Sequence, residues 1–198
     1  MQAGPVEAVT HFMRPGHRMT RRVETFPKLI IAAVNGLAFG GGCDLLESTH
    51  VTFTADTATF SKAGINIGII PAFGGTRRLP HNVGRKAMPE PILSDRTFDA
   101  PEAARLGPVN RVIQAADLLD ATPALATDLA FTADLATEPP LKLAAALLAI
   151  HHGMDAAIDD GLAIEEAAFA HIVPTHDAQE GVAASLKNAP QSSSVARP

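Results

Sequence analysis

The stretch Leu29–Glu47, LIIAAVNGLAFGGGCDLLE, constrains the fold of this chain more than any other stretch. Its first residues, Leu29–Val34, are apolar on both faces, which predicts a fully buried strand of the kind found in parallel sheets. Asn35-Gly36 predicts a turn after that strand. Gly42–Ser48 is predicted to form a short helix, and the three glycines just before the acid mark this turn as the first candidate site.

The remaining patterns place strands early in the chain and helices late. Pro15-Gly16 is predicted to interrupt a first helical stretch, and Ile65–Ile69 alternates as an extended chain does until Pro71 ends it. Asp99 and Gly107 are predicted to begin and end a helix. The other predicted elements are strands at Val51–Thr54 and Val109–Ile113, a helix opening at Gly74-Gly75, helices at Ala116–Ala136, Leu141–His151 and Met154–Val173, and a closing segment Thr175–Leu186 capped by Asp177.

This order predicts an α/β core over residues 1–135 and a helical C-terminal region over residues 136–198. The polar tail QSSSVARP is predicted to be disordered from about residue 190. Within the last long helix, four apolar residues are predicted to share one face, and these are Ile158, Leu162, Phe169 and Ile172.

Composition excludes several functional classes. The chain has 198 residues with 46% hydrophobic and 19% charged residues, which is typical of a folded globular protein. A net charge of −5 without a dense Lys/Arg block, and the absence of Trp and Tyr, argue against a nucleic-acid partner. No window reaches the ~18 apolar residues of a membrane helix, and the N-terminus does not resemble a signal peptide. The lone Cys43 excludes an internal disulfide and fits a cytoplasmic location.

The glycines at 36, 40, 41 and 42 match none of the common glycine signatures. They lack the G-x-G-x-x-G spacing of a dinucleotide site, the G-K-[ST] of a P-loop and the G-x-S-x-G of a nucleophile elbow. Two interpretations stay open. The turn is an oxyanion site, where a backbone N–H stabilises the negative charge that develops on a carbonyl oxygen. Alternatively, it is a close-packed turn in which side chains do not fit.

Several motifs in order carry a family resemblance. KLIIAAVNGLAFGGGCDL resembles the signature of the crotonase superfamily, the enoyl-CoA hydratase/isomerase family, and IGIIPAFGGTRRLP, GRKAM, DRTFDAPEAARLGPVNRVI and THDAQEGVAASLK continue the pattern from about Lys28 to Lys187. The resemblance implies a crotonase-like α/β fold of the ClpP/crotonase type, with a ββα spiral core. It also implies an acyl-CoA substrate, a homo-oligomer that is a trimer or a dimer of trimers, and no metal or redox cofactor, since coenzyme A is part of the substrate.

The resemblance assigns roles to particular residues. Gly41 matches the position whose N–H forms half of the oxyanion hole, and Asp44 matches one of the two acid positions that hydratases use. The second acid position falls on Gly64, which has no carboxylate. Glu47, three residues after Asp44, is a substitute acid or else a solvated or capping carboxylate. The residues expected to contact substrate are Leu37, Phe39, Gly40, Gly64, Ile67 and Ile70, although core packing explains the apolar ones equally well.

The chain also departs from the family pattern. The family's first βαβ segment, with a motif like A-F-x-A-G-A-D that donates the other oxyanion N–H, is not found, and the chain is expected to be an N-terminally truncated member. Pro89 and Pro91 are expected to break or shorten a helix. Two functions therefore remain: an acyl-CoA enzyme whose default reaction is hydration of a 2-enoyl-CoA, or a non-catalytic member that binds acyl-CoA weakly or serves only in assembly.

Overall fold

A computed structural model of the chain describes residues 4–86, 89–130, 141–176, 178–180 and 182–183. Contacts between Cα atoms divide it into two compact units, Met1–Glu138 and Pro139–Pro198. The first unit carries every strand of the described residues, and the second carries two long helices. Each unit is described by itself.

The first unit alternates strands and short helices. In chain order its elements are α1 Pro5–Ala8, a π-helical segment Val9–Met13, α2 Arg14–Glu24, β1 Ile31–Val34, β2 Leu37–Phe39, α3 Gly41–Leu46, β3 Val51–Ala55, β4 Thr59–Ser61, a 3-10 turn Ile65–Ile67, α4 Gly75–Val83, α5 Pro89–Ser94, β5 Phe98–Asp99, α6 Ala100–Leu106, β6 Arg111–Ile113 and α7 Leu118–Ala130.

The strands of the first unit form two three-stranded sheets. One has the order β1-β3-β6 with both pairs parallel, and the other has the order β2-β4-β5, in which β2 and β4 are parallel and β4 and β5 antiparallel. In the second sheet Phe39 lies opposite Ser61. Because β2 and β4 run the same way, the residues that follow them leave the sheet at the same edge, and these are the glycine turn and Lys62.

The core of the first unit lies against these sheets. Phe53, Phe60 and Leu118 are completely or almost completely buried, together with a set of alanines that let the layers approach closely. The ring of Phe60 stacks on that of Phe98 with centroids 5.6 Å apart, which joins β4 to β5. This packing fixes β4, and therefore the position of the residues that leave its end.

Pro15-Gly16 does not interrupt the first helical stretch, so that prediction is wrong. The chain passes from α1 through the π-helical segment into α2, and Pro15 stands in the first turn of α2. A change in hydrogen-bond pattern at a π-helical segment lets a helix continue past a residue that has no N–H. Gly16 is buried where a side chain would collide with the ring of Phe73. The absence of a side chain at this position therefore allows the helix and the ring to pack closely.

Two other predictions about the first unit need correction, and the strand Thr59–Ser61 was not predicted. β1 is only part-buried along its length, because within the described residues it is an edge strand of its sheet. Ile65–Ile67 forms a 3-10 turn in place of extended chain, and it ends at Gly68 in a left-handed conformation that glycine adopts without strain. No sequence pattern indicated the strand Thr59–Ser61, which pairs in parallel with β2.

Other predictions about the first unit are confirmed. Asp99 caps α6 by accepting a 2.9 Å hydrogen bond from the Glu102 N–H, and Gly107 ends that helix with a φ of 118°. α4 begins at Gly75, and α5 is a short helix that begins at Pro89. A short helix tolerates prolines in its first turn because the N–H groups there have no intrahelical acceptor.

The second unit contains α8 Leu141–Met154 and α9 Ile158–Ile172. The two helices pack where Gly153 meets Gly161, whose ideal Cβ would lie only 3.3 Å from the Gly153 carbonyl oxygen. Ile158, Leu162 and Phe169 of α9 are exposed in this unit. The predictions for Asp177, for residues 184–186, for residues 131–136 and for the tail lie outside the described residues.

We expect Asp99→Ala to lower the free energy of unfolding by about 1 kcal/mol, because the Glu102 N–H loses its acceptor. Asp99→Asn is the matched control, since its side-chain oxygen can still accept this bond. Chemical denaturation of both variants measures the difference. Equal stability of the alanine and asparagine variants would show that the cap contributes nothing.

Candidate active site

The dominant feature beside the glycine turn is a buried lysine held between two buried carboxylates. Lys62 Nζ lies 2.7 Å from Asp44 Oδ1 and 2.8 Å from Glu47 Oε1. The side chain of Lys62 is 1% exposed, and those of Asp44 and Glu47 are each 2% exposed. We call these three residues the Lys62 cluster. Charges this deeply buried are tolerated only when they are paired, and here one ammonium serves two acids.

Secondary structure brings the Lys62 cluster together. Asp44 lies in α3 and Glu47 directly follows that helix, so their spacing of three residues puts both carboxylates on one side. Lys62 follows Ser61, the last residue of β4. The Gly40 N–H donates a 2.8 Å hydrogen bond to the Ser61 carbonyl, which ties the start of α3 to the end of β4.

The loop before α4 supplies the second contact of Asp44. Phe73 N–H donates a 3.0 Å hydrogen bond to Asp44 Oδ2, so each oxygen of this carboxylate has one donor. A carboxylate oxygen accepts about two hydrogen bonds, and each therefore keeps a free lone pair. Gly75 lies against the same carboxylate, where a Cβ would collide with Asp44 Oδ1 and crowd Lys62 Nζ.

Phe73 is itself held from two directions. Its carbonyl oxygen accepts hydrogen bonds from Thr20 Oγ1 at 2.9 Å and from Arg78 Nη1 at 3.0 Å. Arg78 in turn forms a two-pronged ion pair with Glu24 at the end of α2, at 2.9 and 3.0 Å. The loop that orients Asp44 is thereby fastened to α2.

The ring of Phe73 covers part of the glycine turn. It lies 5.0 Å from the ring of Phe12, centroid to centroid. An ideal Cβ on Gly41 would be 3.0 Å from Phe73 Cε2, so any side chain at position 41 would press on this ring. The bareness of Gly41 therefore has a packing reason as well as the predicted functional one.

Burial sets the electrostatics of the Lys62 cluster. Loss of hydration raises the pKa of Glu47 to about 7, against the opposing effect of Lys62. Burial by itself lowers the pKa of Lys62, but the carboxylates of Glu47 and Asp44 outweigh it, so the pKa is raised and the ammonium stays charged. Glu47 Oε2 is buried with no hydrogen-bond partner among the described residues. Burial also raises the pKa of Cys43 to about 12, so its thiol is not a nucleophile at neutral pH.

The residues predicted to be catalytic, Gly41, Asp44 and Glu47, lie in or directly after α3. Gly41 begins α3, and within the part of the chain that the structure describes its N–H has no acceptor. Asp44 lies three residues further on, and the Lys62 ammonium joins it to Glu47. The interpretation of Glu47 as a solvated carboxylate is wrong, because its side chain is buried.

The four apolar residues predicted to contact substrate lie at the surface of the first unit, whereas Gly40 is part-buried and Gly64 is buried. Leu37 is 78% exposed and Ile67 is 71% exposed, and Phe39 and Ile70 are also exposed, so core packing does not explain them. Gly64 precedes the 3-10 turn, where an ideal Cβ would be 3.0 Å from the Ile69 carbonyl oxygen. The functional roles of all these residues stay predictions.

Sequence reasoning missed Lys62 and Phe73. A signal for Lys62 was available, because Asp44 and Glu47 stand on one side of an otherwise apolar helix, and carboxylates buried there need a cation. Nothing in the sequence indicated which lysine or arginine would supply it. Phe73 gave no signal, since its part in the site comes from a backbone N–H and from contacts across the fold.

The described residues contain no group of three or more His, Cys, Asp or Glu side chains placed to hold a metal ion. Among the helices in these ranges, none is both long and apolar enough to cross a membrane.

Comparison with known proteins identifies the family. A sequence model described as enoyl-CoA hydratase/isomerase matches residues 1–191. The chain belongs to the enoyl-CoA hydratase/isomerase family. It is 33% identical over 172 residues to the short-chain-enoyl-CoA hydratase of Clostridium acetobutylicum and 37% identical over 172 residues to the crotonyl-CoA hydratase of Syntrophomonas wolfei. Both alignments cover 87% of this chain and 64% of the relative, so the chain spans about two thirds of their length.

Solved structures of the same family share the fold. An enoyl-CoA hydratase from Bacillus anthracis superimposes with a TM-score of 0.83 at 29% identity, covering 94% of this chain and 69% of that one. An enoyl-CoA hydratase/isomerase from Cupriavidus metallidurans gives a TM-score of 0.85 at 28% identity, covering 96% and 69%. The predicted crotonase-like α/β fold is therefore confirmed.

We expect Gly75→Ala to lower the free energy of unfolding by about 1–3 kcal/mol, because the new methyl group collides with Asp44 and displaces the Lys62 cluster. Alanine favours helices more than glycine does, so local helix propensity alone predicts the opposite sign. Gly36→Ala is the control, since a Cβ there meets no atom within 4 Å. Chemical denaturation that ranks both variants alike would contradict this description of the site.

Proposed function

We propose that this protein acts on an acyl-CoA thioester through an enolate stabilised at the Gly41 N–H, with hydration of a 2-enoyl-CoA as its default reaction. The observation that carries the proposal is the juxtaposition on α3 of the Gly41 N–H, which has no acceptor among the described residues, and the Asp44 carboxylate, which is held by hydrogen bonds. Membership of the enoyl-CoA hydratase/isomerase family supports it, as do the relatives named short-chain-enoyl-CoA hydratase and crotonyl-CoA hydratase.

The proposed reaction assigns one task to each of these two groups. Asp44 accepts a proton from water while the water oxygen bonds to the β-carbon of the enoyl thioester. The electron pair of the C=C bond moves onto the thioester oxygen, where the Gly41 N–H stabilises the negative charge. One such donor is worth about 3–4 kcal/mol of barrier in other acyl-transfer sites.

The second proton transfer needs a route of its own, because Gly64 carries no acid. Asp44 holds the proton that it took from water, and in our proposal it returns this proton to the α-carbon of the enolate. Water is then added in full, with OH on the β-carbon and H on the α-carbon. A single carboxylate that acts first as base and then as acid satisfies the reaction.

The exposed apolar residues Leu37, Phe39, Ile67 and Ile70 support a role in contacting the acyl chain. The printed names of the relatives above favour short 2-enoyl chains, such as the crotonyl group, as the first substrates to try. No metal or redox cofactor takes part in the proposed reaction, and coenzyme A enters only as part of the substrate.

We also propose a cytoplasmic homo-oligomer, either a trimer or a dimer of trimers. The exposed apolar side chains of α8 and α9, such as Leu148, Ile150, Leu162 and Phe169, support an assembly in which the second unit covers apolar surface. A single buried cysteine supports a reducing compartment.

We expect crotonyl-CoA and acetoacetyl-CoA to raise the unfolding temperature of the purified chain. A ligand at ~100 times its Kd adds about 2.7 kcal/mol of stability when it binds only the folded state. Differential scanning fluorimetry measures this shift, and free coenzyme A is the matched ligand control. No shift, with a cooperative transition, would contradict an acyl-CoA site in this chain.

We expect Asp44→Asn to keep the ligand-induced shift and to lower turnover of crotonyl-CoA by about 10²–10⁴-fold, because the amide cannot accept the water proton. Loss of absorbance of the conjugated enoyl thioester measures turnover. Binding by the wild type without turnover would favour the non-catalytic alternative. Turnover that survives in Asp44→Asn would show that another residue is the base.

A further inference from the structure

The Lys62 cluster contains more negative charge than its ammonium can balance. With both carboxylates ionised, the three side chains carry a net charge of −1 in a region where each is at most 2% exposed. An excess charge in a buried site is removed most easily by taking up one proton. The question is which carboxylate takes it.

The hydrogen bonds distinguish the two acids. Both oxygens of Asp44 have donors, Lys62 Nζ at 2.7 Å and the Phe73 N–H at 3.0 Å. Glu47 has a donor only at Oε1, and its Oε2 has none among the described residues. Hydrogen bonds donated to a carboxylate favour its charged form. The proton therefore goes to Oε2 of Glu47.

The surroundings of Glu47 are consistent with this assignment. The charged or titratable groups that face it are Asp44 and Cys43 on its own helix, Lys62 after β4 and Arg78 on α4. The two cations favour the ionised form, whereas Asp44 opposes it. Burial is the largest influence and raises the pKa of Glu47 to about 7, so this group changes charge near neutral pH.

We propose that Lys62 is a positioning residue of the active site, whose ammonium holds the Asp44 carboxylate in place beside the glycine turn, and that proton binding at Glu47 changes how strongly Lys62 holds Asp44. This inference rests on the proposed function, because it describes the group that serves Asp44. Lys62 does not act on substrate in this proposal, since its ammonium is bound by the two carboxylates of Asp44 and Glu47.

The direction of the effect follows from charge balance. When Glu47 is protonated, the Lys62 ammonium is paired with Asp44 alone. When Glu47 ionises, the ammonium is shared between two carboxylates, and the negative charge added beside the site favours removal of a proton from the attacking water. Turnover that depends on Asp44 as base therefore increases as the pH rises through about 7.

The deciding experiment is the pH profile of kcat/KM for crotonyl-CoA in the wild type and in Glu47→Gln. We expect kcat/KM of the wild type to rise about tenfold between pH 6 and pH 8, as Glu47 ionises and the Lys62 ammonium becomes shared between two carboxylates. Glu47→Gln keeps the side-chain shape and an oxygen that can accept the hydrogen bond from Lys62, but the amide cannot titrate. Its kcat/KM should therefore be independent of pH in this range. The same rise in Glu47→Gln would overturn the proposal.

Glu166→Gln is the matched control, because it makes the same chemical change at an exposed position of α9. Its pH profile should follow that of the wild type.

The double variant Lys62→Met with Glu47→Gln tests the positioning role of Lys62. The second substitution removes the Glu47 carboxylate, so that only one buried acid loses its cation. We expect a fall of about 100-fold in kcat with KM within about twofold of the wild type, since the base loses its orienting partner. An unchanged kcat would overturn the positioning role, and if this variant does not fold, the Glu47→Gln profile decides.

A second measurement separates failure of this inference from failure of the proposed function. ¹³C NMR of side-chain carboxyl groups follows the titration of Glu47 without any substrate. A carboxyl resonance that titrates near pH 7 and disappears in Glu47→Gln supports the cluster even if the wild type turns over no crotonyl-CoA. A Glu47 carboxyl that titrates in the ordinary range of exposed glutamates overturns it, even if the enzyme is active.

Discussion

The ammonium of Lys62 is the contact on which the arrangement of the site depends. It joins the residue that follows β4 to an acid within α3 and to an acid at the end of that helix. Removing one partner of a buried ion pair leaves an uncompensated charge, which typically costs about 3–5 kcal/mol. The loop before α4 completes the arrangement through the Phe73 N–H, and Arg78 and Thr20 fasten that loop to α2.

This contact also changes what the family pattern means in this chain. The second acid position is Gly64, where the backbone leaves little room for a side chain, so in the proposed reaction Asp44 acts without a partner acid. Asp44 is itself buried, and the Lys62 ammonium joins it to the buried carboxylate of Glu47. In the proposed hydration, which proceeds through one carboxylate, Asp44 is therefore held from inside the fold by the Lys62 ammonium and the Phe73 N–H.

Local patterns predicted the parts of the fold that local chemistry determines. Asp99 and Gly107 mark the ends of α6 because a cap and a left-handed glycine act within a few residues. The family resemblance predicted the fold, and its assignment of Gly41 and Asp44 to the site stays a prediction. Lys62 could not be predicted, because its pairing follows from the register of β2 against β4. Ile65–Ile67 was misread because a short apolar alternation does not distinguish a strand from a 3-10 turn.

A crystal structure of the chain bound to acetoacetyl-CoA tests the central claim most directly. We expect the thioester oxygen to lie within hydrogen-bond distance of the Gly41 N–H, with Lys62 still buried between Asp44 and Glu47 and a carboxylate oxygen of Asp44 facing the acyl carbons. A thioester oxygen bound elsewhere, or a Lys62 side chain turned out into solvent, would contradict it.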